Sequence, residues 1–186
     1  MHIIAGSCKG RKILTIPHSD YRPAMSKVRE SLFSILESRG IVWSSIRFLD
    51  VFAGTGSLGF EALSRGAAHA AFIESDHVNA EYLRKNAAGL DFSALCRIYE
   101  TDALRILRNP PQEPFHVICV DPPYGKNLFK PALKFILHKN WLAEDGYLIA
   151  EIEKKLPVDT DSLPGMELET ERCYGNTRIL IWKKNA

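Results

Sequence analysis

The chain has 186 residues, 46% of them hydrophobic and 25% charged, enough for one globular domain with its own core. Its 24 basic and 22 acidic residues leave a net charge of +2, which by itself implies no polyanionic partner, so only the distribution of charge is informative. No apolar run approaches transmembrane length, Ile3-Ile4-Ala5 is far too short for a signal-peptide core, and four scattered cysteines without a C-x-x-C pair read as free thiols, so a soluble cytoplasmic protein with no membrane and no metal is expected.

The charge is unevenly spread, because residues 1–47 carry eight basic side chains against three acidic ones. Residues 1–23 hold two β-prone runs, His2-Ile3-Ile4 and Lys12-Ile13-Leu14-Thr15-Ile16, separated by a basic turn, which suggests a hairpin appended to the main fold. Such a ribbon is either an edge kept soluble by its lysines or a nucleic-acid contact. Arg22-Pro23 marks a break, and from Met25 to Ser38 the apolar Val28, Leu32, Ile35 and Leu36 recur at helical spacing, with Lys27 and Arg29 on or near the opposite face. Together, Lys9, Arg11, Lys12, Arg22, Lys27 and Arg29 are the candidate nucleic-acid-binding surface, although a basic helix face is commonly just solvated.

From Ile46 the pattern alternates strand and helix. Strands are expected at Ile46–Phe52, Ala68–Glu74, Cys96–Glu100, Phe115–Val120 and Tyr147–Ile152, with helices at Ser57–Arg65, Val78–Ala88, around Ala103–Leu107 and at Leu128–His138. This alternation argues for a parallel sheet covered by helices on both faces, with ligands at the carboxyl ends of the strands. Met166–Cys173 and Thr177–Lys183, joined by Tyr174-Gly175-Asn176, add a terminal antiparallel hairpin. A single domain is expected, with residues 1–40 as a basic extension and 41–186 as the catalytic core.

The first strand runs into Gly54-Thr55-Gly56-Ser57-Leu58-Gly59, a glycine turn followed by a helix. Gly54 and Gly56 allow the turn and a close ligand approach, and Gly59 allows the helix to pack on the strand. The motif also fits a dinucleotide fingerprint, with Glu74 as the acid that contacts a ribose, so it signals an adenosine-containing ligand of either kind. Asp50, Glu74, Asp102 and Asp121 all fall at strand ends. A helix N-cap accounts for one such residue, Asp102 above all, but four along one rim suit a ligand with a cationic amino acid end, a diol and an adenine amine. A pyrophosphate would be repelled there. The stretch Asp121-Pro122-Pro123-Tyr124 then supplies two acceptors, the Asp121 carboxylate and the Pro122 carbonyl, beside an aromatic ring. This suits alkylation of a weakly nucleophilic exocyclic amine on a planar base, with Tyr124 stacked on the base.

The glycine turn with Asp50, together with Asp121-Pro122-Pro123-Tyr124, resembles the S-adenosylmethionine-dependent amino-methyltransferases. Four stretches extend the likeness over nearly the whole chain: His2-Ile3-Ile4-Ala5-Gly6, Gly10-Arg11-Lys12-Ile13-Leu14, Arg22-Pro23 with Val28-Arg29-Glu30-Ser31-Leu32-Phe33, and Glu61-Ala62-Leu63-Ser64-Arg65-Gly66-Ala67. They narrow it to the bacterial small-subunit ribosomal RNA guanine-N2 methyltransferase family (RsmD). The resemblance implies an α/β, Rossmann-like class I methyltransferase fold, with a seven-stranded, mostly parallel sheet whose last strand is antiparallel, plus the amino-terminal β-hairpin and helix. It implies S-adenosylmethionine as cofactor, held by Asp50, Phe52, Ala53, Gly54, Gly56, Glu74, Asp102 and Asp121. Asp121, Pro122 and Tyr124 would be catalytic, and a monomer would act on the small ribosomal subunit or its 16S rRNA. After Arg22-Pro23 the family usually carries Thr, where this chain has Ala24. Three other readings remain open: an NAD-dependent oxidoreductase, which leaves Asp121–Tyr124 unexplained; an adenine-N6 or cytosine-N4 methyltransferase on DNA or another RNA, which shares the whole rim; and a non-catalytic ribosome-assembly factor.

Overall fold

The computed structural model describes residues 1–16, 23–158 and 163–185. Helix α1 (Pro23–Ser38) precedes the alternating core of β1 (Arg47–Val51), α2 (Ser57–Ser64), β2 (His69–Glu74), α3 (His77–Gly89), β3 (Cys96–Glu100), α4 (Ala103–Leu107), β4 (Phe115–Val120), α5 (Phe129–His138) and β5 (Leu142–Glu153). The hairpin of β6 (Met166–Tyr174) and β7 (Thr177–Lys184) ends the fold. The strands form one seven-stranded sheet in the order β3-β2-β1-β4-β5-β7-β6. Strands β1 to β5 are mutually parallel, and β7 runs antiparallel between β5 and β6. Chain order reverses between β1 and β4, so the connections leave these two strands toward opposite sides and open a crevice at their carboxyl ends.

Because β1 and β4 are covered on both faces, their residues read as continuous apolar runs rather than alternating ones. One face packs Phe33 of α1, Phe60 of α2 and Leu83 of α3 on Phe48 and Phe72. The other packs Leu107 of α4 and Ile136 of α5 on Leu49, Ile118 and Leu148. Gly59 decides how closely α2 approaches the sheet, since a Cβ there would lie 2.2 Å from the Phe72 ring. None of the described helices is long and apolar enough to cross a membrane, and all four cysteines are free.

Two elements depart from the sequence reading. Strand β5 starts at Leu142 rather than Tyr147, because Leu142 pairs with Phe115 before a register shift carries the polar Glu144-Asp145-Gly146 segment past, with Asp145 at φ 57°. The amino-terminal hairpin is reduced to a single antiparallel bridge between His2 and Lys12. The Ile3, Gly10 and Ile13 N–H groups still bond across the two runs, to the Arg11, Ile3 and Met1 carbonyls, but the groups beyond them turn to α2 and α3. The Ile4 and Ala5 N–H groups donate to the Glu61 carboxylate at 2.8 and 3.0 Å, and Leu14 exchanges hydrogen bonds with the Asn86 side chain. The segment is thereby strapped across α2 and α3. Gly6 passes so close to α2 that a Cβ would lie 1.8 Å from the Ser64 carbonyl oxygen, at a φ of 82°.

Candidate active site

The carboxyl ends of β1 to β5 open onto a cavity of about 1150 Å³, roofed on one side by Val28 of α1 and on another by the β6–β7 turn. Phe52, Gly54, Glu74, Asp102, Asp121, Pro122 and Tyr124 all line it, so the fold brings seven of the residues singled out in the sequence into one space. Ala53 lines a smaller adjoining cavity of about 330 Å³, which shares Phe52, Gly54, Asn79 and Asp121 with the first.

The glycine turn is held from below. The Gly54 N–H donates to Glu74 Oε2 at 2.7 Å, while Glu74 Oε1 accepts from the Asp76 N–H at the same distance, so one carboxylate locks the turn to the end of β2. Phe52 takes a φ of 65°, which costs a non-glycine residue roughly 1–2 kcal/mol and is fixed by the Ala53 N–H to Ile73 carbonyl bond at 3.0 Å. Gly54 also has a positive φ, and a Cβ there would meet nothing within 4 Å, which leaves its backbone open toward a ligand.

Two candidates lie beneath the cavity rather than on its wall. Asp50 is 2% exposed, and its Oδ2 accepts from the Gly59 N–H at 3.0 Å, so it anchors the start of α2 below the turn. Burial, with a smaller contribution from the Glu74 charge, pushes its carboxyl up to about 7. A Cβ on Gly56 would lie 2.5 Å from the Phe60 ring and 2.6 Å from Leu83, so this glycine serves packing against α2 and α3 and faces away from the ligand space. Asp102 does both jobs considered for it. It caps α4 by accepting from the Arg105 N–H at 2.9 Å, and it lines the cavity.

Asp121 has a neighbour that sequence reasoning missed. Val120 of β4 pairs with Ala150 of β5, so the next residues, Asp121 and Glu151, stand level on adjacent parallel strands, and both line the cavity. Burial and the Glu151 charge raise the Asp121 carboxyl well above the usual carboxylate range, and burial raises Glu151 as well. The strand-end rule applied to β1 to β4 would have found Glu151 had it been carried to β5. With Glu74 and Asp102, the cavity wall holds four carboxylates and no basic side chain among the described residues. Such a wall suits a cationic ligand with a diol and an amine and repels a pyrophosphate. The residues therefore fit S-adenosylmethionine and do not fit NAD.

The Asp121–Tyr124 loop is pinned at both ends. The Asp121 N–H donates to the Val51 carbonyl, the Gly125 N–H donates to Glu153 Oε1 at 2.8 Å, and the Tyr124 hydroxyl lies 2.8 Å from Thr177 Oγ1 in the β6–β7 turn. Tyr124 remains 52% exposed, so its ring is available at the cavity mouth. That turn is tied in its own right to α1, where the Ser31 hydroxyl accepts from the Tyr174 hydroxyl at 3.1 Å.

The candidate RNA surface divides. Lys9, Lys12 and Lys27 are exposed. Arg11 is exposed but pairs with Asp91 at 3.1 Å and donates to the Gly89 carbonyl. Arg29 is 4% exposed, its guanidinium directed to the His2 carbonyl, the Met1 sulfur and Glu61, so it braces the amino-terminal strap and is no surface contact. Helical spacing put it opposite the apolar stripe, but that side of α1 faces the strap. Arg22 lies outside the described residues.

Residues 1–183 match the family model described as conserved hypothetical protein 95. Ribosomal RNA small subunit methyltransferase D of Haemophilus influenzae is 37% identical over 162 residues, covering 86% of this chain and 82% of the relative, and that of Escherichia coli K12 is 32% identical over 188 residues, covering 100% and 91%. The chain belongs to the ribosomal RNA small subunit methyltransferase D family. An Escherichia coli structure described as a candidate methyltransferase superposes with a TM-score of 0.86 at 31% identity, covering 100% of this chain and 98% of that one. An RNA methyltransferase from Salinibacter ruber bound to S-adenosyl-L-homocysteine shares the fold, with a TM-score of 0.64 at 13% identity over 91% of this chain and 94% of that one. The fold of this family member is thus that of a class I methyltransferase, as the strand alternation implied.

Proposed function

We propose that this chain transfers the methyl group of S-adenosylmethionine to the exocyclic N2 amine of a guanine in 16S rRNA, acting in the cytoplasm as a monomer. The names of its relatives support ribosomal RNA as the substrate class. The observation that carries the choice of base is the level pair Asp121 and Glu151. Guanine presents two adjacent donors on its Watson–Crick edge, N1–H and the N2 amine, whereas adenine and cytosine present an amine beside an acceptor. Two ionised carboxylates accept only, so they match the first pattern and leave the ring nitrogen of the others facing a lone pair. A cation and a donor edge entering the cavity both favour the ionised pair. A volume of about 1150 Å³ is large for a small-molecule site, of which roughly 300–1,000 Å³ is typical, and suits a cofactor and a base together.

In this reading Glu74 holds the ribose hydroxyls, Asp102 approaches the adenine amine, and the open Gly54 backbone faces the methionine portion. Bound S-adenosylmethionine supplies an electrophilic methyl on a sulfonium. The guanine amine attacks that methyl in line, so a carbon–nitrogen bond forms as the carbon–sulfur bond breaks and the thioether leaves uncharged. Asp121 stabilises the positive charge that develops on nitrogen and is the nearest acceptor for the proton released. Tyr124 offers a ring face to the base. A target already unpaired in a loop avoids most of the few kcal/mol that unstacking costs.

The test is transfer of labelled methyl to small ribosomal subunits isolated unmethylated, with naked rRNA and plasmid DNA in parallel, followed by digestion to nucleosides. Label is expected as N2-methylguanosine, and label as a methylated adenine or cytosine would overturn the base assignment. Glu151→Gln turns one acceptor into a group that also donates, and kcat/KM for the rRNA should fall about 10- to 100-fold, the worth of a hydrogen bond to a charged group.

A further inference from the structure

The wall formed by Pro122, Pro123, Tyr124 and Leu128 has a second side. Behind it lies a separate groove of about 350 Å³, which these four residues share with the large cavity and whose floor is Phe129, Ile152, Leu156 and Pro157. The reaction proposed above makes no use of it. Its rim is basic. Lys130 lines the groove, Lys126 lies between the lining residues Gly125 and Asn127, and Lys154 with Lys155 lies between Glu153 and Leu156. All four lysines are exposed, and among the described residues none of their ammonium groups makes a hydrogen bond or an ion pair. Among the other described lysines, Lys85, Lys183 and Lys184 are paired with Glu81, Asp145 and Glu144, whereas Lys9, Lys12, Lys27, Lys134 and Lys139 are unmatched as these four are. Among the described residues the one acid lining the groove, Glu153, already accepts from the Gly125 N–H.

An apolar floor with Lys130 on its lining and the exposed Lys126, Lys154 and Lys155 next in the chain to lining residues, separated from the methyl-transfer cavity by a single proline-tyrosine wall, is complementary to a base flanked by phosphates. We infer that this groove seats the nucleotide next to the target guanine on the same RNA strand, with its base on the apolar floor and the adjoining phosphates on Lys126, Lys130, Lys154 and Lys155. The inference rests on the RNA reading given above and adds a second point of hold besides the amino-terminal lysines. Phosphate contacts of this kind set register without reading sequence, so the groove acts on affinity and positioning.

The experiment uses the full chain with Lys126→Ala/Lys130→Ala, with Lys154→Ala/Lys155→Ala, and with Lys139→Ala beyond the end of α5 as control. Methyl transfer to unmethylated small subunits is measured beside binding to naked 16S rRNA over a range of salt. Each double variant should raise KM about tenfold, leave kcat and S-adenosylmethionine affinity within about twofold, and flatten the log–log salt slope by about 1.4, or 0.7 for each phosphate no longer neutralised on a single strand. The control should match wild type. Unchanged KM and salt slope in both double variants would overturn the inference. So would weaker methylation of particles with an unchanged slope on naked rRNA, which would assign the lysines to a ribosomal protein. Failure of the wild-type chain to methylate any rRNA counts against the methylation reading instead, and the salt slope still reports on the groove.

Discussion

Glu61, fully buried beneath the amino-terminal strap, and the Asp121–Glu151 pair, half-buried at the cavity, are carboxylates with opposite surroundings. Glu61 is fully buried and met by donors, the Ile4 and Ala5 N–H groups and Arg65 Nε at 3.0 Å, with Arg29 Nε at 4.0 Å. Asp121 and Glu151 meet each other, and neither accepts a hydrogen bond among the described residues. Burial alone therefore does not mark a functional acid. A carboxylate supplied with donors holds the structure together, while one supplied with another carboxylate is left to be satisfied by whatever binds.

The sharpest way to break this contrast is to remove one acid from each region. Asp121→Ala should lower methyl-transfer turnover by about 10²- to 10⁴-fold while calorimetry still detects S-adenosylmethionine binding, and ordinary turnover in that variant would deny the acid its role. Glu61→Ala should instead act on stability. It leaves buried N–H groups and an arginine without their acceptor, at about 3–5 kcal/mol, and should lower Tm by about 10 °C. A melting curve that matched wild type would show that the strap does not depend on it.

The pH dependence of unfolding sharpens the comparison further. Asp50, raised to about 7, and the raised Asp121 and Glu151 hold protons in the folded chain that the unfolded chain has already released above its ordinary carboxylate range. The stability these three protonated acids contribute to the ligand-free protein is thus fully present below the ordinary carboxylate range and is lost as pH rises through their raised folded values, about 7 for Asp50. Asp50→Asn, whose amide oxygen can still accept from Gly59, should flatten that decline by on the order of 4 kcal/mol in denaturant titrations. An unchanged pH slope would mean that Asp50 ionises without cost. The smallest effect is expected at the rim, where Tyr124→Phe removes only the half-exposed hydrogen bond to Thr177 and should change KM for rRNA by less than about threefold. A large change would show that the hydroxyl, and not the ring, matters.

Much of the fold was legible because its causes are local. Apolar runs bounded by turn residues placed β3, α4 and β4 at the observed limits, and the Tyr174-Gly175-Asn176 turn placed the final hairpin. Asp102 and Glu74 could be assigned to the rim because a strand end is a local feature. The amino-terminal ribbon was not legible in the same way, since the partners of its Ile4, Ala5 and Leu14 backbone groups, Glu61 and Asn86, lie far along the chain. Nor was Arg29, whose side of α1 is covered by a segment that periodicity within the helix does not see.

What the sequence by itself determined, then, is the order of elements, the glycine turn and the kind of chemistry that Asp121-Pro122-Pro123-Tyr124 can perform, because each depends on neighbours within a few residues. Only the tertiary structure decided which acids share the cavity. Asp50 sinks below the turn to hold Gly59, while Glu151 rises beside Asp121, because the pairing of Val120 with Ala150 is settled by side chains packed across the whole sheet and by no signal within either strand.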